Sequence, residues 1–189
     1  MGVFQQLAAA LAAVHERGII HRNLKPKNIR ITPSGHVKLV DFRLAAGIGQ
    51  NQESEAVGTP AYMCPEQTRG EPLDERADVW AFGCCFYESL TGNNPFSGEM
   101  VADVKKHVLT LDPDIARLPQ EVPAHLGTMI MRCLEKEPQR RLRSITDISV
   151  WLQDGTRSPQ NGRGGSSNFS AIPMKHNRDS YGCQVNDEF

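Results

Sequence analysis

The sequence lacks long hydrophobic runs and an excess of charge of one sign. No stretch reaches the roughly 18 consecutive apolar residues that a membrane-spanning helix requires, and the first residues do not form a signal peptide. The formal net charge is −1, which gives no electrostatic reason to expect binding to nucleic acid or to an anionic membrane. We therefore expect neither a membrane segment nor a nucleic-acid partner.

The cysteines are not arranged for zinc. The 5 cysteines form no CxxC pair, and no histidine lies at a zinc-ligand spacing from them. Cys84, Cys85 and Cys133 fall in apolar helical runs, which predicts buried small hydrophobic side chains. This usage fits a reducing compartment better than a disulfide-linked scaffold, so we predict a cytoplasmic location.

Several segments have the hydrophobic periodicity of helices. Apolar residues recur at three- and four-residue steps over residues 3–17, which predicts an amphipathic helix. Residues 76–91 are apolar nearly all round, a pattern typical of a buried central helix. Three further helices are predicted, over residues 99–109, over residues 124–135, and from Ser144 onward with Asp147 completing a capping box.

The remaining segments predict a hairpin, a loop and a tail. Apolar residues alternate around Ile29 and around Val37, with a Pro-Ser-Gly turn between them, which predicts a β-hairpin. Residues 43–75 are rich in Gly, Gln, Glu and Pro and predict a long loop. Residues 153–189 have few apolar residues and no pattern, which predicts a disordered polar tail.

Five motifs occur in the order and at the spacings of the C-terminal lobe of protein kinases. They are IIHRNLKPKNIRI, VKLVDFR, GTPAYMCPEQ, DVWAFGC and CLEKEPQRR, and the chain resembles that family over about residues 3–152. The segment YMCPEQ is most similar to the corresponding sequences in the bacterial branch of the eukaryotic-type serine/threonine kinases. The resemblance implies a mainly α fold (an α+β kinase-like fold), a helical C-lobe with a short β-hairpin, in one domain over residues 1–152.

The resemblance also implies a site that transfers a phosphoryl group from ATP to a protein serine or threonine. Asp41 and Asn28 match the residues that hold Mg²⁺, and both offer the oxygen ligands that this ion prefers. Lys25 matches the lysine that neutralises the transferred phosphoryl group, and Thr59 matches a residue that helps to dock the acceptor. Lys25, Asn28 and Asp41 thus form the implied cofactor site, and Asn23 stands at the position of the catalytic base.

Other motif residues match positions of the scaffold. Asp78 resembles the buried aspartate that holds the catalytic-loop backbone, and Glu66 and Arg141 resemble a buried ion pair. Arg22 resembles an arginine that pairs with a phosphate on the activation segment. Ser54 lies in that segment, and a phosphorylation site and an ordinary exposed serine are both compatible with it.

The first departure from the family pattern is Asn23, which stands where the family has aspartate. An amide does not accept the proton of a hydroxyl as a carboxylate does. Loss of a general base typically lowers the rate about 10²–10⁴-fold. Since asparagine can still orient a hydroxyl, weak residual transfer stays open.

The second departure is Arg43, which stands where the family has glycine. Glycine permits backbone angles that a residue with a side chain resists. Three consequences stay open at this point: the cation repels Mg²⁺, it reaches the phosphates in place of the metal, or it points to solvent.

The third departure concerns the N-terminal lobe. The chain contains no GxGxxG loop and no lysine of the VAIK type, so we expect the C-lobe alone, unless the other lobe is encoded upstream of Met1. His21, Phe42 and Leu44 are then expected to be exposed where that lobe would cover them. We expect a truncated kinase-like domain that is inactive or very weak in isolation and binds Mg-ATP weakly. The alternatives are a pseudokinase module that docks a protein partner, and a relic without a role.

Overall fold

The computed structural model of the protein describes residues 2–47 and 59–153, and this part of the chain is mainly helical. Its six α-helices are α1 (Val3–His15), α2 (Pro65–Arg69), α3 (Arg76–Thr91), α4 (Val101–Thr110), α5 (Ala124–Cys133) and α6 (Ile145–Gln153). Its short strands are β1 (Ile19–Ile20), β2 (Ile29–Ile31), β3 (Val37–Leu39) and β4 (Ala46–Gly47). They form two antiparallel pairs, β1 with β4 and β2 with β3. The predicted mainly α fold with a short hairpin is confirmed.

Helix α3 is the centre of the core. Nearly all of its side chains are buried, as its all-round apolar sequence predicts. From α1, the Phe4 ring meets the Phe82 and Phe86 rings edge-on, with centroids 5.5 and 4.8 Å apart. Helix α1 also packs along α6, so the two ends of the described chain enclose one face of α3.

Helices α3 and α5 approach each other closely at a glycine. A Cβ atom added to Gly83 would lie 2.7 Å from Cβ of Cys133, a separation that would force the helices apart. Cys84, Cys85 and Cys133 are fully buried, which confirms their predicted role as small hydrophobic side chains. Burial raises the pKa of each of these thiols, so they stay protonated at neutral pH.

The predicted hairpin is confirmed and is fixed to α1. Strands β2 and β3 pair with Ile29 opposite Leu39, and Gly35 forms the turn with φ +80°. The side chain of Gln6 in α1 donates to the Gly35 carbonyl and accepts from the Val37 N–H, both at 3.0 Å. The hairpin therefore has hydrogen bonds to a helix, as a two-stranded unit of this size requires.

The prediction of a loop throughout residues 43–75 is wrong where the structure describes that segment. Strand β4 pairs with β1, and helix α2 occupies Pro65–Arg69. A two-residue strand has no period to detect, because it is defined by its distant partner. Helix α2 does have two local signs in the sequence, a proline at its first position and a glycine at its end, Gly70, which has φ +72°.

The remaining terminal and loop predictions have mixed outcomes. The capping box of α6 is confirmed by hydrogen bonds between Ser144 and Asp147 in both directions. Helix α6 includes Gln153, the first residue of the predicted tail. Ser54 and residues 154–189 lie outside the described residues. None of the described helices combines the length and hydrophobicity needed to cross a bilayer.

Candidate functional site

The loop that contains HRNLKPKN is held from behind by Asp78, in the first turn of α3. Its fully buried carboxylate accepts from the backbone N–H groups of His21 (2.8 Å) and Arg22 (2.9 Å). His15 of α1 donates through Nε2 to the same carboxylate at 2.8 Å. This is the contact that the motif resemblance predicted for Asp78, and it ties the loop to two core helices.

Arg22 has a left-handed backbone with φ +64°, a conformation that costs a non-glycine residue about 1–3 kcal/mol. Its N–H donates to Asp78, and its carbonyl accepts from Nε2 of Gln67 at 3.1 Å. Both peptide groups around this residue are therefore fixed by side chains. Gln67 is not among the predicted site residues, because the segment that contains α2 is predicted to be a loop.

His21 is buried, so the expectation that it is exposed is wrong. Its Nε2 donates to the Val40 carbonyl at 3.1 Å, and its Nδ1 accepts from the Asn23 N–H at 3.3 Å. Its ring also meets the Phe42 ring edge-on, with centroids 4.7 Å apart. The VDF segment thus covers the histidine. Phe42 is 42% exposed as expected, and Leu44 is half-buried.

Three of the predicted site residues lie together. Asn23 Nδ2 donates to Oδ2 of Asp41 at 3.1 Å. Asn28 Nδ2 donates to the backbone carbonyl of Asn23 at 2.7 Å. Asp41 is left-handed, with φ +65°, and it begins the 3-10 turn Phe42–Leu44. Asn23 therefore contacts both of the residues that the resemblance implies as metal ligands.

Arg43 pairs with Asp41. Its Nε donates to Oδ1 of the carboxylate at 2.6 Å, although 86% of the arginine side chain is exposed. This hydrogen bond lowers the pKa of Asp41, and the charges of Arg43 and Lys25 act in the same direction, while burial opposes them. The expected backbone conflict does not arise, because Arg43 lies in the 3-10 turn and its φ is not positive.

The fourth predicted residue, Lys25, binds the next motif along the chain. Its Nζ donates to Oγ1 of Thr59 at 2.7 Å, which joins the loop to the GTPAY segment. The ammonium acts on the Asp41 carboxylate through its charge. The structure thus brings Asn23, Lys25, Asn28 and Asp41 into one region, and the roles assigned to them stay predictions.

The model of the protein kinase domain family matches residues 2–150. The chain belongs to the protein kinase family. It is 37% identical over 153 residues to a probable serine/threonine-protein kinase, PknB, of Corynebacterium glutamicum, covering 76% of this chain and 24% of that protein. It is 42% identical over 142 residues to the serine/threonine-protein kinase PkaA of Streptomyces coelicolor, covering 72% of this chain and 26% of that protein.

A plant relative is equally similar. The chain is 41% identical over 140 residues to the serine/threonine-protein kinase AtPK1/AtPK6 of Arabidopsis thaliana, covering 74% of this chain and 29% of that protein. The comparisons support a serine/threonine protein kinase domain with relatives in bacteria and in plants. The chain spans about a quarter of the length of the curated relatives it matches.

Members of this kinase family generally use ATP and Mg²⁺, and the site can be tested for its fit to the cation. Mg²⁺ requires oxygen ligands that are free to face it. Here each oxygen of Asp41 already accepts from an N–H group, of Asn23 on one side and of Arg43 on the other. Within residues 2–47 and 59–153, no cluster of three or more His, Cys, Asp or Glu side chains is suited to a metal. In this arrangement a divalent cation at Asp41 would share each carboxylate oxygen with one of these two donors.

Proposed function

We propose that this chain is the C-terminal lobe of a serine/threonine protein kinase domain that, by itself, transfers phosphate weakly or not at all. The family reaction is transfer from ATP to a serine or threonine of a protein substrate. The observation that carries the proposal is the contact of Asn23, which stands at the base position and donates its amide to Asp41 at 3.1 Å.

The direction of that hydrogen bond explains the expected loss of activity. A carboxylate at position 23 would accept a proton from the attacking hydroxyl, whereas an amide oxygen is a very weak base. Because Nδ2 of Asn23 faces Asp41, only the amide oxygen is left to orient a substrate hydroxyl. We expect the rate to be lower by about 10²–10⁴-fold than with a base in that position.

Nucleotide binding by the 189-residue chain is proposed to be weak. Lys25, Asn28 and Asp41 supply the polar groups that would face phosphates, and the sequence contains no GxGxxG loop to enclose them. Calorimetry of the purified chain with Mg-ATP should show no micromolar affinity. A dissociation constant in the micromolar range would contradict this part of the proposal.

The transfer reaction itself can be tested with four proteins. The wild-type chain, Asn23→Asp, Asn23→Ala and the double variant Asn23→Asp/Arg43→Gly are incubated with radiolabelled Mg-ATP and a generic basic protein. We expect no turnover from the wild type or from Asn23→Ala, and the highest rate from the double variant. Brisk turnover by the wild-type chain, or equal measurable rates for the wild type and the double variant, would refute the role assigned to Asn23.

A second candidate function is a pseudokinase module that docks a protein partner. It is favoured by Phe42, which lies beside the site and is 42% exposed, a large fraction for a phenylalanine. The same assay separates the two candidates. If the double variant also shows no phosphoryl transfer, the docking module is favoured. If transfer is restored, the kinase lobe is favoured.

A further inference from the structure

We propose that Arg43 excludes divalent cations from Asp41 and takes the place of the metal ion as its counter-ion. This inference rests on the proposed function, because it takes Asp41 to be the carboxylate that faces the phosphates. It deepens that proposal by assigning a specific consequence to a residue that departs from the family pattern.

The first support is the geometry of the ion pair. The distance of 2.6 Å from Arg43 Nε to Asp41 Oδ1 is at the short end for a charge-assisted hydrogen bond. The amide of Asn23 engages the other oxygen. A cation that approaches this carboxylate therefore has to share whichever oxygen it binds with an N–H donor, and on one side that donor is itself a cation.

The second support is the local charge. The groups that act on the Asp41 carboxylate include the cations of Arg43 and Lys25, whereas Asn23 and Asn28 are neutral. Two cations and one carboxylate together carry a positive charge. This charge repels a divalent cation whatever the geometry of its ligands. Asparagine at position 23 adds to this balance, because an aspartate there would add a negative charge.

The third support is that Arg43 has little to do with the fold. Its side chain is 86% exposed, and Asp41 is its ion-pair partner among the described residues. Its backbone is in a 3-10 turn with no positive φ. Removal of the guanidinium should therefore change the site and leave the surrounding core intact, which makes the idea testable by substitution.

The test is a titration of the 189-residue chain with Mn²⁺ in the absence of nucleotide. Mn²⁺ binding is followed by paramagnetic broadening of the side-chain amide resonances of Asn23 and Asn28. Arg43→Ala should bind Mn²⁺ about tenfold more tightly than the wild type, since it loses a cation in direct contact with the ligand oxygen. Arg43→Gly should behave in the same way, and thermal unfolding should confirm that both variants fold.

Two further variants locate the effect. Arg132→Ala removes the same charge from an exposed position on α5 and should titrate as the wild type does. Asp41→Asn combined with Arg43→Ala should lose the gained affinity. The proposal is overturned if the wild type and Arg43→Ala broaden at the same Mn²⁺ concentration, or if the gain survives loss of the Asp41 carboxylate. This measurement involves no phosphoryl transfer. The role proposed for Arg43 can therefore be refuted while the role of Asn23 stands, and the role of Asn23 can be refuted while that of Arg43 stands.

Discussion

Arg141 holds the carboxylate of Glu66 through two parallel hydrogen bonds, from Nη1 to Oε1 at 2.7 Å and from Nη2 to Oε2 at 2.9 Å. Both side chains are almost fully buried. The guanidinium also donates to three backbone carbonyls, those of Arg76, Glu135 and Lys136. One side chain therefore joins α2, the start of α3 and the segment that follows α5, and the ion pair predicted from the sequence is confirmed.

Loss of this ion pair should destabilise the lobe strongly. Glu66→Gln would place an amide against the buried guanidinium and strand its charge, at an expected cost of about 3–5 kcal/mol. Glu71→Gln is the matched control, because Glu71 forms an exposed ion pair with Arg69 at 3.7 Å and should contribute less than about 1 kcal/mol. Urea unfolding of the two variants measures the difference. Equal stabilities would show that the buried pair is not a structural requirement.

Asp78→Asn should loosen the loop selectively. The amide would replace one carboxylate oxygen by a donor, so at least one of the N–H groups of His21 and Arg22 would lose its acceptor. A buried donor without a partner costs about 1–3 kcal/mol. Hydrogen exchange should accelerate at these two amides more than at core amides of α3. Asp112→Asn, at an exposed position, should leave the exchange unchanged.

Lys136 should give the lobe an unusual pH dependence. Its Nζ lies 4.2 Å from the Phe96 ring centroid and 5.0 Å from that of Trp80. Burial lowers its pKa from 10.5 to about 8. Between these two pH values the unfolded chain binds more protons than the folded one. The contribution of Lys136 to stability should therefore rise as the pH increases through this window.

The measurement compares the wild type with Lys136→Met, which keeps the contacts with the rings and removes the charge. In urea unfolding under reducing conditions, the wild type should gain stability relative to the variant between pH 7 and pH 10. The gain should be on the order of 1 kcal/mol, because partial exposure of the lysine screens its charge. The comparison cancels the titration of groups that do not interact with Lys136. A constant difference across this range would contradict the lowered pKa.

Gly83→Ala should be destabilising although alanine favours helices. The new Cβ would lie 2.7 Å from Cβ of Cys133, which is close to the backbone and cannot move aside. Such overpacking typically costs about 1–3 kcal/mol, against a gain of about 1 kcal/mol in helix propensity. Gly127→Ala in α5 is the control, because its nearest neighbour would be 3.5 Å away. A melting temperature for Gly83→Ala at or above that of Gly127→Ala would disprove the close approach.

Much of the helical framework could be predicted from the sequence. Helix α3 occupies the predicted residues 76–91 because an apolar run with a glycine after it has one compact solution, a buried helix. The grouping of Asn23, Asn28 and Asp41 was implied by the motifs. The pairing of β1 with β4 could not be predicted, since each strand has two residues and its partner lies far along the chain.

The contact between Arg43 and Asp41 could not be predicted from the sequence either. A long cationic side chain beside an acidic residue can turn to that residue, to a ligand or to solvent. The sequence around position 43 is compatible with all three orientations. In the structure Asp41 has a left-handed backbone, a 3-10 turn follows it, and the guanidinium turns to the carboxylate. The expectation that His21 is exposed fails for a different reason: it rests on the absence of an N-terminal lobe from the sequence, whereas the VDF segment of the same lobe already covers the histidine.

The side chains of Asp78 and Gln67 hydrogen-bond to the backbone of the HRNLKPKN loop from the side that faces the core. Neither of these residues touches the oxygens of Asp41 in the described contacts. The course of the loop is therefore held on its core side by residues to which none of the predicted site roles is assigned. Substitutions at positions 23 and 43 should therefore change the front of the loop and leave these core-facing hydrogen bonds in place.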